Sequence, residues 1–185
     1  MRSYELQSFF NGIRSDLLVP EHISRRVLFL DLEDTVIDNW SNGYYANAVN
    51  TVRVRNIIKV VRPTEVRLFS YAVYNKSDVD MFNTVFREWL EDLLGIKFED
   101  DIFCVDDLFQ MCKKDGVFYE SIHDCMSLLG KAHGFQRFIE MSPKYKDCVI
   151  TLVDDVVTNK TLLYHDRNMI VNYIDVNKPA CWNIE

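Results

Sequence analysis

The feature that most constrains the fold is the run Val27 to Asp38, Val-Leu-Phe-Leu-Asp-Leu-Glu-Asp-Thr-Val-Ile-Asp. Four apolar residues lead directly into Asp31, and Asp31, Glu33 and Asp34 fall within four positions. A buried strand that ends on an acid presents a reactive group at the edge of an open α/β sheet. Three crowded carboxylates are costly there unless something positive neutralises them, and Mg²⁺ is the usual solution.

The rest of the chain reads as alternating strands and helices. Leu6, Phe9, Phe10, Ile13, Leu17 and Leu18 have helical spacing, so residues 1–26 form a helical extension packed on the body, with Pro20 ending the helix. Strands are expected at 27–31, 66–70, 102–105, 148–153 and 169–174. Residues 39–50, polar and aromatic around Gly43, read as a loop or short flap, and a helix follows before Pro63. A helix over 77–94 is capped by Ser77 or Asp78 and ended by Gly95. A helix covers 119–129 and a second starts near Lys131. Asp106-Asp107 reads as a helix cap rather than a metal pair. Strands alternating with helices imply an α/β domain over 27–175, with a parallel sheet of about five strands flanked by helices and a tail at 176–185. Asp31, Ser70 and the Asp154/Asp155 pair then meet at one sheet edge, where ligands bind in doubly wound sheets.

Composition excludes some classes. No apolar run is long enough to cross a bilayer, and the N-terminus has no secretory pattern. The five cysteines are odd in number and lack CxxC spacing, so reduced thiols and a cytoplasmic location are expected. A net charge of −7 argues against general binding to nucleic acid or anionic membranes. His22, His123, His133 and His165 lack metal-ligand spacing, and no catalytic role is expected of them.

Four motifs in order resemble those of the haloacid dehalogenase-like (HAD) phosphohydrolase superfamily. They are Asp31-Leu32-Glu33-Asp34-Thr35-Val36 after a strand, Leu68-Phe69-Ser70 at a strand end, Lys131 at a helix start 23 residues before Asp154, and Leu152-Val153-Asp154-Asp155. The resemblance spans roughly residues 27–175 and implies a Rossmannoid, HAD-like fold. It also implies a Mg²⁺-dependent phosphatase working through an aspartyl-phosphate on Asp31. Asp31, the backbone carbonyl of Glu33 and Asp155 would hold Mg²⁺, with Asp154 in support or binding through water. Ser70 would hydrogen-bond the phosphoryl group, and Lys131 would neutralise charge, with Lys144 or Lys146 as rivals for that role. Asn159 is either a further polar residue of the site or a turn residue. Taken singly, Asp31 could be a turn aspartate, Ser70 structural and Lys131 solvated.

Glu33 departs from the family pattern, which has a second Asp there as general acid/base. One added methylene displaces the carboxyl by about an ångström, and such a shift can cost roughly 10²-fold in rate. Either Glu33 still works, or the enzyme is slow, or the fold is reused for binding. Only 38 residues separate Asp31 from Ser70, and 60 separate Ser70 from Lys131, which leaves no room for a large cap. A capless or short-flap site admits a phosphorylated macromolecule, and the resemblance points to a protein or a nucleic-acid end. Arg53, Arg55, Lys59, Arg62 and Arg67 either steer a polyanion or form a solvated face. The rival reading is a catalytically impaired HAD-fold regulatory protein that binds a phosphorylated or host protein partner; phosphotransfer is a third. A metal between Asp31 and Asp155 would favour the enzyme. An Asp31 tied up in a protein salt bridge would weaken it.

Overall fold

The computed structural model describes residues 23–178. The expected N-terminal helix and most of the C-terminal tail lie outside these residues. The chain forms β1 (Arg25–Leu30), α1 (Thr51–Val61), β2 (Glu65–Leu68), α2 (Lys76–Met81), α3 (Arg87–Leu94), α4 (Val105–Lys114), α5 (Ile122–Met141), β3 (Cys148–Asp154), β4 (Lys160–Tyr164) and β5 (Met169–Asp175). A π-helical turn, Phe82–Phe86, joins α2 to α3, so the expected 77–94 helix is one continuous rod with a local bulge. Its N-cap is Asn75, not Ser77 or Asp78. The Asn75 side chain accepts from the backbone of both those residues, and Asp78 reaches back to Asn75 N at 3.0 Å.

The five strands lie in the order β2-β1-β3-β5-β4. The first four are parallel, but β4 runs antiparallel to β5. The sheet is therefore mixed. A hairpin through His165–Arg167 and Asn168, which takes the left-handed conformation at φ 48°, turns the chain between β4 and β5. The sequence hides β4 because an edge strand needs little apolar periodicity, and its Leu163 is half exposed. The strand expected at 102–105 does not form. Cys104 is instead the N-cap of α4, with Asp107 accepting from its backbone N–H, so the Asp106-Asp107 pair is indeed part of a helix start. The backbone of that region meets the sheet beside Phe98, which bridges to Val66, with Glu99 N donating to Val66 O at 2.9 Å.

Alternation along β1 explains the layers. Leu28 and Leu30 enter a core with Val54, Ile57, Phe82 and Phe86 from α1 and the long rod. Val27 and Phe29 enter the opposite core with Leu108 of α4 and Phe135 and Ile139 of α5. Both faces of β1 and β3 are thus covered, which is why their sequences are apolar without interruption. Phe29 meets Phe69, Phe135, Phe138 and Tyr145 edge-on, a cluster that fixes β1 against α5. Among the described residues no helix is long and apolar enough to cross a membrane.

Candidate metal centre

The chain leaves β1 toward β2 on one side and later returns to β3 on the other. The gap beyond the tips of β1 and β3 is thus the point where strand order reverses. Asp31 is the first residue beyond β1, and its N–H continues the ladder to Val153 O at 3.0 Å. Asp154 is the last residue of β3, with Asp155 next to it.

The turn after Asp31 accounts for the residue types that follow. Leu32 O accepts from the N–H groups of Thr35, Val36 and Ile37 at 3.2, 2.8 and 3.0 Å. Asp34 takes a left-handed conformation at φ 55°, which short polar residues tolerate best. The turn swings buried Thr35 back so that its Oγ1 donates to Asp31 Oδ2 at 3.2 Å. Glu33 Oε1 accepts from Trp40 N at 2.9 Å. This braces the first turn of the flap helix Trp40–Tyr45, whose Trp40 stacks on Phe86.

Lys131 arrives from α5, 100 residues from Asp31 in the chain. Its Nζ lies 2.6 Å from Asp31 Oδ1 and 3.0 Å from Asp154 Oδ2. The first contact is a hydrogen bond. The second lacks hydrogen-bond geometry, so Asp154 Oδ2 is buried with no hydrogen-bond partner. Asp154 Oδ1 accepts from Val156 N at 2.9 Å. One carboxylate oxygen from each of Asp31, Asp154 and Asp155 lies within 4.8 Å of the other two. Three acids thus gather beside one ammonium, which pairs with two of them.

Protonation follows this imbalance. Burial, then the charges of Asp154 and Asp31, push the Asp155 carboxyl up to about 6. Burial raises Asp154 as well, with Asp31 adding to it and Lys131 opposing. Burial alone would lower the Lys131 ammonium, but Asp31 and Asp154 outweigh it and push it up. Three convergent carboxylates with one ammonium paired to two of them are the donor set a hard divalent cation takes. The residues present fit such an ion.

A cleft of about 590 Å³ opens over this cluster. Asp31, Glu33, Ser70, Lys131 and Asp155 line it, while Asp154 is buried behind them. Ser70 lies two residues past β2 rather than at its end. Its Oγ accepts from Ala72 N at 3.2 Å, and among the described residues its hydroxyl proton has no acceptor. Lys144 and Lys146 are elsewhere, Lys144 being paired with Asp101. Asn159 is not in the cluster, because its Oδ1 accepts from Asp175 N at 2.6 Å and closes the end of β5. None of the five basic residues at 53–67 lines the cleft. Arg67 pairs with Glu65 and Asp101, and Arg53 contacts Asn50, Val176 and Asn177.

Sequence reasoning missed Tyr71 and His123, both of which line the cleft. For His123 a signal existed: it lies four residues before Ser127 on the first half of α5, and both line the cleft. For Tyr71 only its place after Ser70 was visible. No known family model, curated protein or solved structure matches the chain.

Proposed function

We propose that the chain is a Mg²⁺-dependent phosphatase of HAD-like fold, acting through an aspartyl-phosphate on a phosphorylated macromolecule. The observation that carries this reading is the trio Asp31, Asp154 and Asp155 beyond the tips of β1 and β3, with Lys131 paired to the first two. The motif resemblance, carried by the same residues with Ser70 added, supports it as well. Bound at the trio, Mg²⁺ would screen the carboxylates from an incoming phosphate dianion and polarise its oxygens.

Asp31 attacks phosphorus through a carboxylate oxygen, and the phosphorus–ester bond breaks. Thr35 and Lys131 hold that carboxylate in one orientation. Ser70 donates its free hydroxyl proton to a phosphoryl oxygen, and Lys131 offsets charge on the same group. Glu33 protonates the departing oxygen. It then takes a proton from the water that attacks the phospho-enzyme, which releases phosphate and restores Asp31. Glu33, Asp34 and Asp155 make the cleft acidic, which favours a phosphoprotein over a nucleic-acid end, whose further phosphates would be repelled.

Hydrolysis of an aryl phosphate tests the reading. Turnover should require Mg²⁺, stop with EDTA, and fall by at least roughly 10³-fold in Asp31→Asn with the fold intact. Equal turnover by Asp31→Asn would remove Asp31 as nucleophile.

Two observations favour the rival reading, a regulatory protein that binds a phosphorylated partner without turnover. Asp31 is engaged in a salt bridge with Lys131, and Glu33 has a structural task at Trp40. Tight binding of a phosphopeptide that is never hydrolysed would decide for it.

A further inference from the structure

The helix α5 is broken at Gly130, where φ 64° and ψ 168° lie in a region open in practice only to glycine. The break resets the helical phase immediately before Lys131. A straight helix would send residue 131 in another direction, since each residue advances about 100°. Something must hold the break. The Tyr71 hydroxyl donates to Gly130 O at 3.1 Å. The same hydroxyl sits where residue 134 has no side chain: a Cβ on Gly134 would fall 1.9 Å from it. Lys131 Nζ then lies 5.2 Å from the centre of the Tyr71 ring, between that ring and the two aspartates. Gly130 supplies the bend, Gly134 the space and Tyr71 the bond.

We propose that Tyr71 is a positioning residue that, seated against Gly134, holds the Gly130 break and so aims Lys131 at Asp31 and Asp154. Tyr71 directly follows Ser70, so one turn after β2 sets both the hydroxyl and the ammonium of the cleft. The proposal rests on the phosphatase reading only for the use made of Lys131. The orientation of the lysine can be read without any turnover.

The test is pulse acetylation of the full chain with acetic anhydride, reading each lysine by peptide mass spectrometry. Lys131 is one-tenth exposed and should react far more slowly than Lys97, whose side chain is four-fifths exposed. Tyr71→Phe keeps the ring and removes the bond to Gly130. Lys131 should then label roughly fivefold faster, the size of effect that one lost hydrogen bond gives. Gly134→Ala must displace the phenol and should raise Lys131 labelling at least as much. Lys113 and Lys160 also lie over aromatic rings, but away from Gly130, and should not change. An unchanged Lys131 rate in Tyr71→Phe overturns the proposal. So does a rise shared equally by Lys113 and Lys160, which would be general loosening. If Gly134→Ala does not fold, Tyr71→Phe alone decides. Absence of phosphatase activity with faster Lys131 labelling would sink the function and leave the positioning role standing.

Discussion

Two buried acid sites in this molecule are treated in opposite ways. Glu91, near the end of α3, is 7% exposed and fully partnered. It accepts from Lys97 Nζ at 2.6 Å, from Phe98 N at 2.9 Å and from Arg87 Nε at 3.2 Å. Burial alone would raise its pKa, but Lys97, the Phe98 N–H and Arg87 outweigh it and hold the carboxyl below its ordinary value. Asp154 and Asp155, at the tip of β3, are held above theirs. Glu91 anchors the loop where Phe98 reaches the edge of β2. The aspartates leave negative charge unmatched in a cleft. One buried acid is saturated by its neighbours, whereas the trio has a single ammonium, which pairs with two of its members.

Glu33 stands between these extremes, and its substitution should have the largest effect of the three. It has one backbone donor, Trp40 N, and faces the cleft. If it is a displaced general acid/base, Glu33→Asp should raise aryl phosphate turnover by up to roughly 10²-fold. The shorter side chain would also lose Trp40 N, costing about 1 kcal/mol of stability. Glu33→Gln separates the roles, since its amide oxygen can keep the Trp40 bond but cannot exchange a proton. Lower stability in Glu33→Asp, with no gain in rate and no loss in Glu33→Gln, would make Glu33 a brace alone.

Glu91→Gln should come next, costing roughly 2 kcal/mol by urea unfolding at pH 7 as charge-assisted bonds to Arg87 and Lys97 are lost. The pH dependence has a definite sign. The folded-state pKa of Glu91 is lowered, so its contribution is present above the ordinary glutamate value and is lost as pH falls through the lowered one. The gap between the parent and Glu91→Gln should therefore close in acid. A constant gap down to pH 3 would show that packing, not charge, is what Glu91 provides.

Asp155 is only partly buried, so solvent screening should leave Asp155→Asn with the smallest effect, in the opposite direction. The folded-state pKa of Asp155 is raised to about 6 from an ordinary value near 3.8. Ionisation is thus harder in the folded state, and the fold loses stability as pH rises from 3.8 through about 6. In metal-free buffer Asp155→Asn should melt higher than the parent above pH 6, with the gain fading to nothing near pH 3.8. With Mg²⁺ in excess the parent should be stabilised and the variant less so. A variant that melts lower at pH 8 without metal would show that Asp155 is not under charge strain.

The sequence alone determined the sheet tips. Apolar runs end on Asp31 and Asp154/Asp155, and a run buried on both faces has to be a central strand wherever it pairs. It also determined the helix over 77–94, through its apolar face and Gly95, and the division between a helix ending near 129 and one starting near Lys131. These are short-range signals, since periodicity and turn residues act within a few positions. The tertiary structure decided what depends on neighbours distant in the chain. The edge strand β4 exists because β5 offers it an open ladder, and the apolar run at 102–105 fails as a strand because Cys104 caps α4. Asn159 went to Asp175, and the basic residues at 53–67 went to separate partners rather than to the cleft. Lys131 was legible as a lysine at a helix start, but its contact with both aspartates was not. That contact depends on Tyr71 holding Gly130, a bond across 59 residues that no local pattern encodes. Glu33 likewise shows its carboxyl in sequence and its tie to Trp40 only in space. A side chain's type is written locally, whereas its partner is chosen by packing.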